Sequence, residues 1–454
     1  MTADALPLSV GQQSLWLMHQ LAPDSAAYND VDAMRLAPVL DVAVLQRAVT
    51  AVVERHDLLR SRFVETEDRV VRVLCPPGSV RVDVRDVPRA TDSELLALCR
   101  QIGTAPFALT ETGPLRVVLL RRSTDAALVV ATHHIASDAL SQRIIWRDLA
   151  EAYRAGASDS EPRWPALSAT YHDFVTREQT LLDSPRRAEM EGYWQRVCAG
   201  ACAATLPTDR LRPARSAFRG ASRSLPLPED LMRRVWAAAA AAQVTPFTVL
   251  LAAFQVLLHR CSGQEDLMIG CPTTVRRTRI LRDMVGLLVN TIVVRARFAP
   301  DTTVAAAIEQ ARAQLVDGMS RASYPLALLN SARADREPLY RIAITMVKPP
   351  LGDTIPDTDS GPFELFPGHQ SHRLDMPRLE GQFDLTVEIT QMPNSMAAVF
   401  RYDTELFDQA TIDRLLRLYL QVISAACTDP TVRVSRLSMV DDAERRRLLA
   451  LGSA

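Results

Sequence analysis

Ala127-Leu128-Val129-Val130-Ala131-Thr132-His133-His134-Ile135-Ala136-Ser137-Asp138 passes from six small, mostly apolar residues straight into two adjacent histidines. A short run of this kind reads as a buried strand. Ser137 or Asp138 then reads as the cap of a helix whose inner face carries Leu140, Ile144, Ile145 and Leu149. Upstream, residues 115–120 form a second strand-like run, and Ser123-Thr124-Asp125 supplies the turn of a hairpin. The histidines therefore stand where a strand ends and a helix begins.

Outward from this point the chain alternates between the two patterns. Residues 8–21 and 42–55 read as helices, the second with Val42, Leu45, Val49, Val52 and Val53 on one face. Residues 80–84 alternate like a strand. From 158 to 186 the sequence turns polar and irregular, with Pro162, Pro165 and Pro185, and a domain boundary is expected there. Beyond it, helices are predicted at 229–243, 246–260, 303–319 and 408–426. Strands are predicted at 266–269, 287–297, 340–347, 383–389 and 396–402, with Met392-Pro393-Asn394-Ser395 as the last turn. The expected fold class is α+β in two halves, residues 1–175 and 176–454.

At 454 residues the chain is long enough for two or more cores, and 48% hydrophobic with 23% charged residues is ordinary for a globular protein. A net charge of -1 gives no electrostatic reason to expect nucleic acid or a membrane surface. Seven scattered cysteines with no Cys-x-x-Cys suit free thiols in a reducing cytoplasm, not a disulfide framework or zinc. The start, MTADALPLSVGQQ, has no basic and apolar signal-peptide pattern. Residues 236–259 imitate a membrane span, but Thr245 and Pro246 read as a helix cap and first-turn proline that split them into two buried helices.

His133-His134-x-x-x-Asp138 is the compact cluster of catalytic residue types. A histidine at a strand end can take a proton near neutral pH, and the aspartate can fix the loop by pairing with an arginine. A satisfied structural pair remains a competing reading of the two histidines. Metal binding is disfavoured, because adjacent histidines diverge and no third ligand lies close in sequence. The absence of a Gly-x-Ser-x-Gly elbow nominates no serine nucleophile, and there is no Gly-rich phosphate loop.

Five segments in order give the sequence a wider resemblance. They are residues 8–16 (Leu8-Ser9-Val10-Gly11-Gln12-Gln13-Ser14-Leu15-Trp16), 55–63 (Arg55-His56-Asp57-Leu58-Leu59-Arg60-Ser61-Arg62-Phe63), 133–141, 171–174 (Tyr171-His172-Asp173-Phe174) and 285–291 (Val285-Gly286-Leu287-Leu288-Val289-Asn290-Thr291). Tyr324-Pro325-Leu326 and Arg336-Glu337-Pro338-Leu339 are weaker versions of two more. The chain resembles the condensation domains of nonribosomal peptide synthetases over nearly its whole length. The resemblance implies two lobes, each like chloramphenicol acetyltransferase, in a V-shaped pseudo-dimer with the active site at their junction and a tunnel across the molecule. It implies a monomer that meets two partners, a donor and an acceptor carrier protein. Their phosphopantetheine arms supply the thiols, and the chain itself binds no cofactor.

By the same resemblance His134 is catalytic and positions or deprotonates the acceptor as it attacks the thioester. His133 and Asp138 are structural, with Arg276 as the partner of Asp138. Ala139, Ser141, Gly286 and Asn290 become candidates for lining the tunnel. The expected reaction joins a carrier-bound peptidyl or polyketide-like acyl group to an amine, as an amide. Ester formation onto a hydroxyl is the near alternative, and a non-catalytic recruitment domain the distant one. The family's motif has glycine after the aspartate, where this chain has Ala139, and relatives often carry an aromatic residue at the position of Leu140. Adenylation motifs and a phosphopantetheine-bearing carrier segment are lacking. The ending, residues 441–449, resembles a linker to an adenylation domain, so the chain reads as free-standing or excised from a synthetase.

Overall fold

The structure is a computed structural model that describes residues 5–214, 216–331, 338–347, 361–376, 382–392 and 395–439. Its contacts divide the chain into two units. The first comprises Met1–Ser184, Thr274–Val289 and Pro350–Leu379, and the second Pro185–Thr273, Asn290–Pro349 and Glu380–Ala454. The linear division expected after residue 175 differs from this partition in a physical respect. Two later segments return to the first unit, one because it extends that unit's sheet and one because it carries the ion-pair partner of Asp138.

The sheet of the first unit has six strands in the order Phe363–Phe366, His369–Arg373, Asn29–Ala37, Ala126–His133, Leu115–Arg121, Val82–Asp86. Every neighbouring pair is antiparallel except the last, which is parallel. The expected hairpin is present: Leu115–Arg121 and Ala126–His133 pair through a turn in which the Arg122 amide donates to the Asp125 carbonyl. Ala126–His133 is buried at all eight positions because both faces of the sheet are covered. On one face, helices Val42–Arg55 and Ala139–Ala157 bring Leu45, Val49, Val52, Ile145 and Leu149 against Val117, Leu119, Leu128 and Val130. On the other, helix Asp92–Thr104 lays Leu95, Cys99 and Ile102 on Ala33, Val118, Leu120, Ala127 and Val129. A strand sandwiched in this way has no polar alternation to show, which is why its sequence is a continuous apolar run.

Asn29–Ala37, the partner of that strand, was not expected from sequence. Its apolar pattern is broken by Asp30, Asp32 and Arg35, whose charges are met by residues distant in the chain. Asp32 takes a two-pronged contact from Arg373 at 2.9 and 3.0 Å, and Arg35 reaches Asp125 at 2.5 Å. A smaller antiparallel sheet joins Ala5–Pro7, Val70–Leu74 and Ser61–Glu65. The stretch 158–186, read as irregular, contains helix Tyr171–Leu182, started by a Thr170–Asp173 capping box.

The second unit holds a six-stranded sheet in the order Val289–Arg297, Asp266–Thr274, Ile342–Val347, Leu385–Gln391, Met396–Asp403, Gly220–Pro226. Four of its helices, Glu229–Ala241, Pro246–Ser262, Val304–Ser320 and Gln409–Thr428, each lie within two residues of expectation, and Arg186–Cys198 is a further one. Thr245 caps the second, Pro246 opens it, and Gly263 ends it in the left-handed conformation. The first two helices meet at 104°, and among the described residues no single helix is long and apolar enough to cross a membrane. Residues 393–394 of the expected last turn, 336–337 of the weakest motif and the linker-like ending at 441–449 lie outside the described residues.

Candidate active site

The polypeptide leaves strand Ala126–His133, makes one tight turn over His134–Ala136, and enters helix Ala139–Ala157 with Asp138 as its cap. The two histidines part company at this turn. His133 is 3% exposed, packed edge-on to the rings of His19 and Phe107. Its Nδ1 accepts the Ile135 amide at 3.1 Å, so its proton sits on Nε2. Burial, reinforced by the neighbouring His19 and His134, pushes its pKa down to about 3. The His133 ring is therefore neutral and sealed in. The side chain of His134 stays 28% exposed, and its Nδ1 lies 2.9 Å from Oδ2 of Asp30. Its backbone amide donates to the Tyr28 carbonyl at 2.7 Å, which pins the turn to the chain just before strand Asn29–Ala37.

Asp138 is buried and every lone-pair direction of its carboxylate is used. Oδ1 accepts the amide and hydroxyl of Ser141, both at 2.8 Å, the amide contact being the helix cap. Oδ2 accepts the Leu288 amide at 3.1 Å. Arg276 reaches both oxygens through Nη2, at 2.9 and 3.1 Å, with its side chain only 3% exposed. Nη1 of Arg276 donates to the carbonyls of Leu281 and Met284. The carboxylate thus ties the helix start to the segment 274–289 that returns from later in the chain.

Ser141 belongs to the same tie. It is fully buried, and its Oγ also accepts Nη2 of Arg276 at 2.7 Å and the Gly286 amide at 3.1 Å, with the Gly286 carbonyl 3.0 Å away. Gly286 packs flat on Tyr171: a Cβ there would fall 2.3 Å from the ring. Tyr171 bridges Ser9 Oγ at 3.1 Å and the Leu287 carbonyl at 3.2 Å. Ser9 caps helix Val10–Leu21, and Gln12, in reciprocal contact with it, donates Nε2 to the Ile135 carbonyl at 2.9 Å, inside the histidine turn. Four of the sequence motifs are in this way one hydrogen-bonded frame.

The remaining motif, 55–63, is anchored separately. Arg55 and His56 both reach Asp148 on helix Ala139–Ala157, at 2.9 and 2.8 Å. Burial lowers the His56 pKa against the pull of Asp148. Burial works to raise the Asp148 carboxyl, but His56 and Arg147 outweigh it and hold it low. Ala139 is exposed at the first position of its helix, where the backbone is already helical and glycine is not required. Asn290 belongs to the second unit, where its amide nitrogen donates to the Ala322 and Tyr324 carbonyls at 2.8 and 2.6 Å and its oxygen accepts the Thr291 and Leu326 amides. It organises the turn 322–326 by using its own polar capacity in full.

Of the residues named from sequence, the structure brings His133, His134, Asp138, Ala139, Ser141, Arg276 and Gly286 together in the first unit. Asp30 was missed. Nothing in its own neighbourhood signals a site, since it reaches His134 through strand pairing and not through a local motif. Among the described residues no group of three or more His, Cys, Asp or Glu side chains could hold a metal ion.

The chain as a whole is similar to known proteins. The phosphinothricin tripeptide synthetases PhsC and PhsB of Streptomyces viridochromogenes are 31% and 32% identical to it, over 98% of the chain in each case. The chain spans about two fifths of the length of these relatives (41% and 38%). The X-domain in the solved complex of the X-domain and OxyB from teicoplanin biosynthesis superposes with a TM-score of 0.86 at 25% identity, covering 97% of both chains. The model of the condensation domain matches residues 2–449, and the chain belongs to that family.

Proposed function

We propose that this chain condenses a carrier-bound acyl thioester with a carrier-bound amine, forming an amide in the assembly of a nonribosomal or hybrid peptide. The observation that carries this reading is the difference between the paired histidines: His133 is sealed and neutral, while the His134 side chain stays 28% exposed with Nδ1 beside Asp30. In the reaction the amine nitrogen attacks the thioester carbonyl carbon and His134 takes the proton released from nitrogen. The tetrahedral carbon then expels the thiolate, which recovers a proton and leaves as the donor carrier's phosphopantetheine thiol. Direct transfer is favoured over an acyl-enzyme, because Ser137 and Ser141, the hydroxyls of the motif, are fully buried. Holding both reactants in line contributes up to roughly 7–11 kcal/mol of such a barrier.

A hydroxyl acceptor would use the same base and yield an ester. The second reading, recruitment of another protein without catalysis, is favoured by the likeness to a domain solved in complex with OxyB and by Ala139 at the motif's glycine position. Intact-protein mass spectrometry separates these. A donor-loaded carrier is mixed with amine- and hydroxyl-bearing acceptors and with wild-type or His134→Ala protein. Acyl transfer that needs His134 supports condensation, and the accepted nucleophile names the bond. Absence of transfer from folded protein across the acceptor panel overturns it in favour of recruitment.

A further inference from the structure

We infer that Asp30 is the positioning residue of this site: its carboxylate holds the Nδ1–H of His134, so that the ring turns the Nε2 lone pair toward the acceptor. The inference rests on the proposed role of His134 as base. Asp30 lies directly across the sheet from Thr132, two residues before His134, so the two side chains fall on the same face. The gap from Nδ1 to Oδ2 is 2.9 Å, and both side chains are largely shielded, at 28% and 20% exposure. A carboxylate only accepts, so the proton between the pair belongs to Nδ1 and the ring's lone pair to Nε2. His133, one residue away, has the opposite tautomer because its Nδ1 accepts from a backbone amide.

The strand carrying Asp30 is itself held. Gln142, on the helix that follows the histidines, donates Nε2 to the Asp30 carbonyl at 3.1 Å and to Thr132 Oγ1 at 2.6 Å. Helix, histidine strand and Asp30 strand are thereby fixed to one another at the level of the ring. When His134 takes the acceptor's proton, the new positive charge forms beside a fixed carboxylate, which favours the step. Asp30 faces the His134 ring, and the rings of His19 and Tyr28 lie against the buried His133.

The test uses the full chain labelled with 15N-histidine, in wild-type, Asp30→Asn and Asp30→Ala forms, with His134→Ala to assign the ring signals. In wild type the His134 Nδ1 resonance should be that of a protonated ring nitrogen and Nε2 that of an unprotonated one. Asp30→Ala should average the two signals. Asp30→Asn should retain them, since the amide oxygen still accepts. In the transfer assay, kcat of Asp30→Ala should fall by about 10- to 100-fold with KM little changed, a part of what a positioned base contributes. Asp30→Asn should fall less, with its acid limb displaced to lower pH. Unaltered His134 nitrogens in folded Asp30→Ala, or an unaltered kcat, overturns the inference. If even wild type transfers nothing while the ring signals still respond to Asp30→Ala, the condensation reading fails, and what stands is only that Asp30 sets the tautomer of His134.

Discussion

Replacing Asp138 with alanine should unfold the first unit before it shows any effect on chemistry. The substitution leaves the Arg276 guanidinium, 3% exposed, with its charge unmatched. It also removes the cap on the Ser141 amide and the acceptor of the Leu288 amide. Breaking a buried ion pair from one side costs about 3–5 kcal/mol. The lost cap alone is worth about 1 kcal/mol, and it shares atoms with the pair, so the sum stays near 5 kcal/mol. Asp138→Asn should fare little better: its Oδ1 can still cap Ser141, but its amide nitrogen then faces the Leu288 N–H. The decisive comparison is the double variant Asp138→Ala/Arg276→Met, which removes both charges and should unfold at higher urea than Asp138→Ala alone. Urea unfolding followed by tryptophan fluorescence reads this directly, because Trp146 is fully buried on the helix that Asp138 caps. A folded Asp138→Ala protein that loses less than about 1 kcal/mol, or a double variant no more stable than the single, would refute the latch.

Other consequences of the geometry are equally open to measurement. Gly286→Ala should cost upwards of about 1–3 kcal/mol and appear as insoluble protein, because its Cβ would meet the fully buried Tyr171 ring at 2.3 Å. His133 has its ordinary pKa of 6.5 when unfolded and about 3 when folded, so the unfolded chain binds the extra proton and stability falls as pH drops from 6.5 toward 3. By pH 5 the loss from this one group should be about 2 kcal/mol. His133→Asn keeps an acceptor for the Ile135 amide and should flatten that part of the pH–stability curve. Asn290→Ala should speed amide hydrogen exchange at 322–326, where it holds the Ala322 and Tyr324 carbonyls and the Leu326 amide, with 133–141 unaffected.

The sequence shows elements wherever burial imposes one clean period. Val42–Arg55 has its heptad-like valines, Ala126–His133 its unbroken apolar run, and Pro246–Ser262 its cap and proline. It hides those whose polar residues are satisfied from afar. Asn29–Ala37 shows no clean strand pattern because Asp32 and Arg35 interrupt it, and pairing with Arg373 and Asp125 makes them acceptable in a sheet. His369–Arg373 joins the same sheet from more than three hundred residues downstream of Asn29–Ala37, a closure no local pattern announces. The site divides along the same line. The turn bearing His133, His134 and Asp138 is local and legible, whereas Asp30 enters across a strand that is not.

This division bears on what an intact motif means. Asp138, Arg276, Ser141, Gly286, Tyr171, Ser9 and Gln12 are hydrogen-bonded to one another and to the backbone. Their presence is demanded by the fold of the first unit, and a domain that merely recruits a partner would need them as much as a catalyst does. The methyl of Ala139 stands outside that set on an exposed helical position, so it disturbs none of these contacts. What a purely structural role does not require is a partly exposed His134 whose Nδ1 is held by a carboxylate from a neighbouring strand. A satisfied structural pair would bury both rings, as His133 is buried. The Asp30–His134 pair is therefore the feature on which catalysis and recruitment make different demands, and substitutions there, not in the latch, discriminate between them.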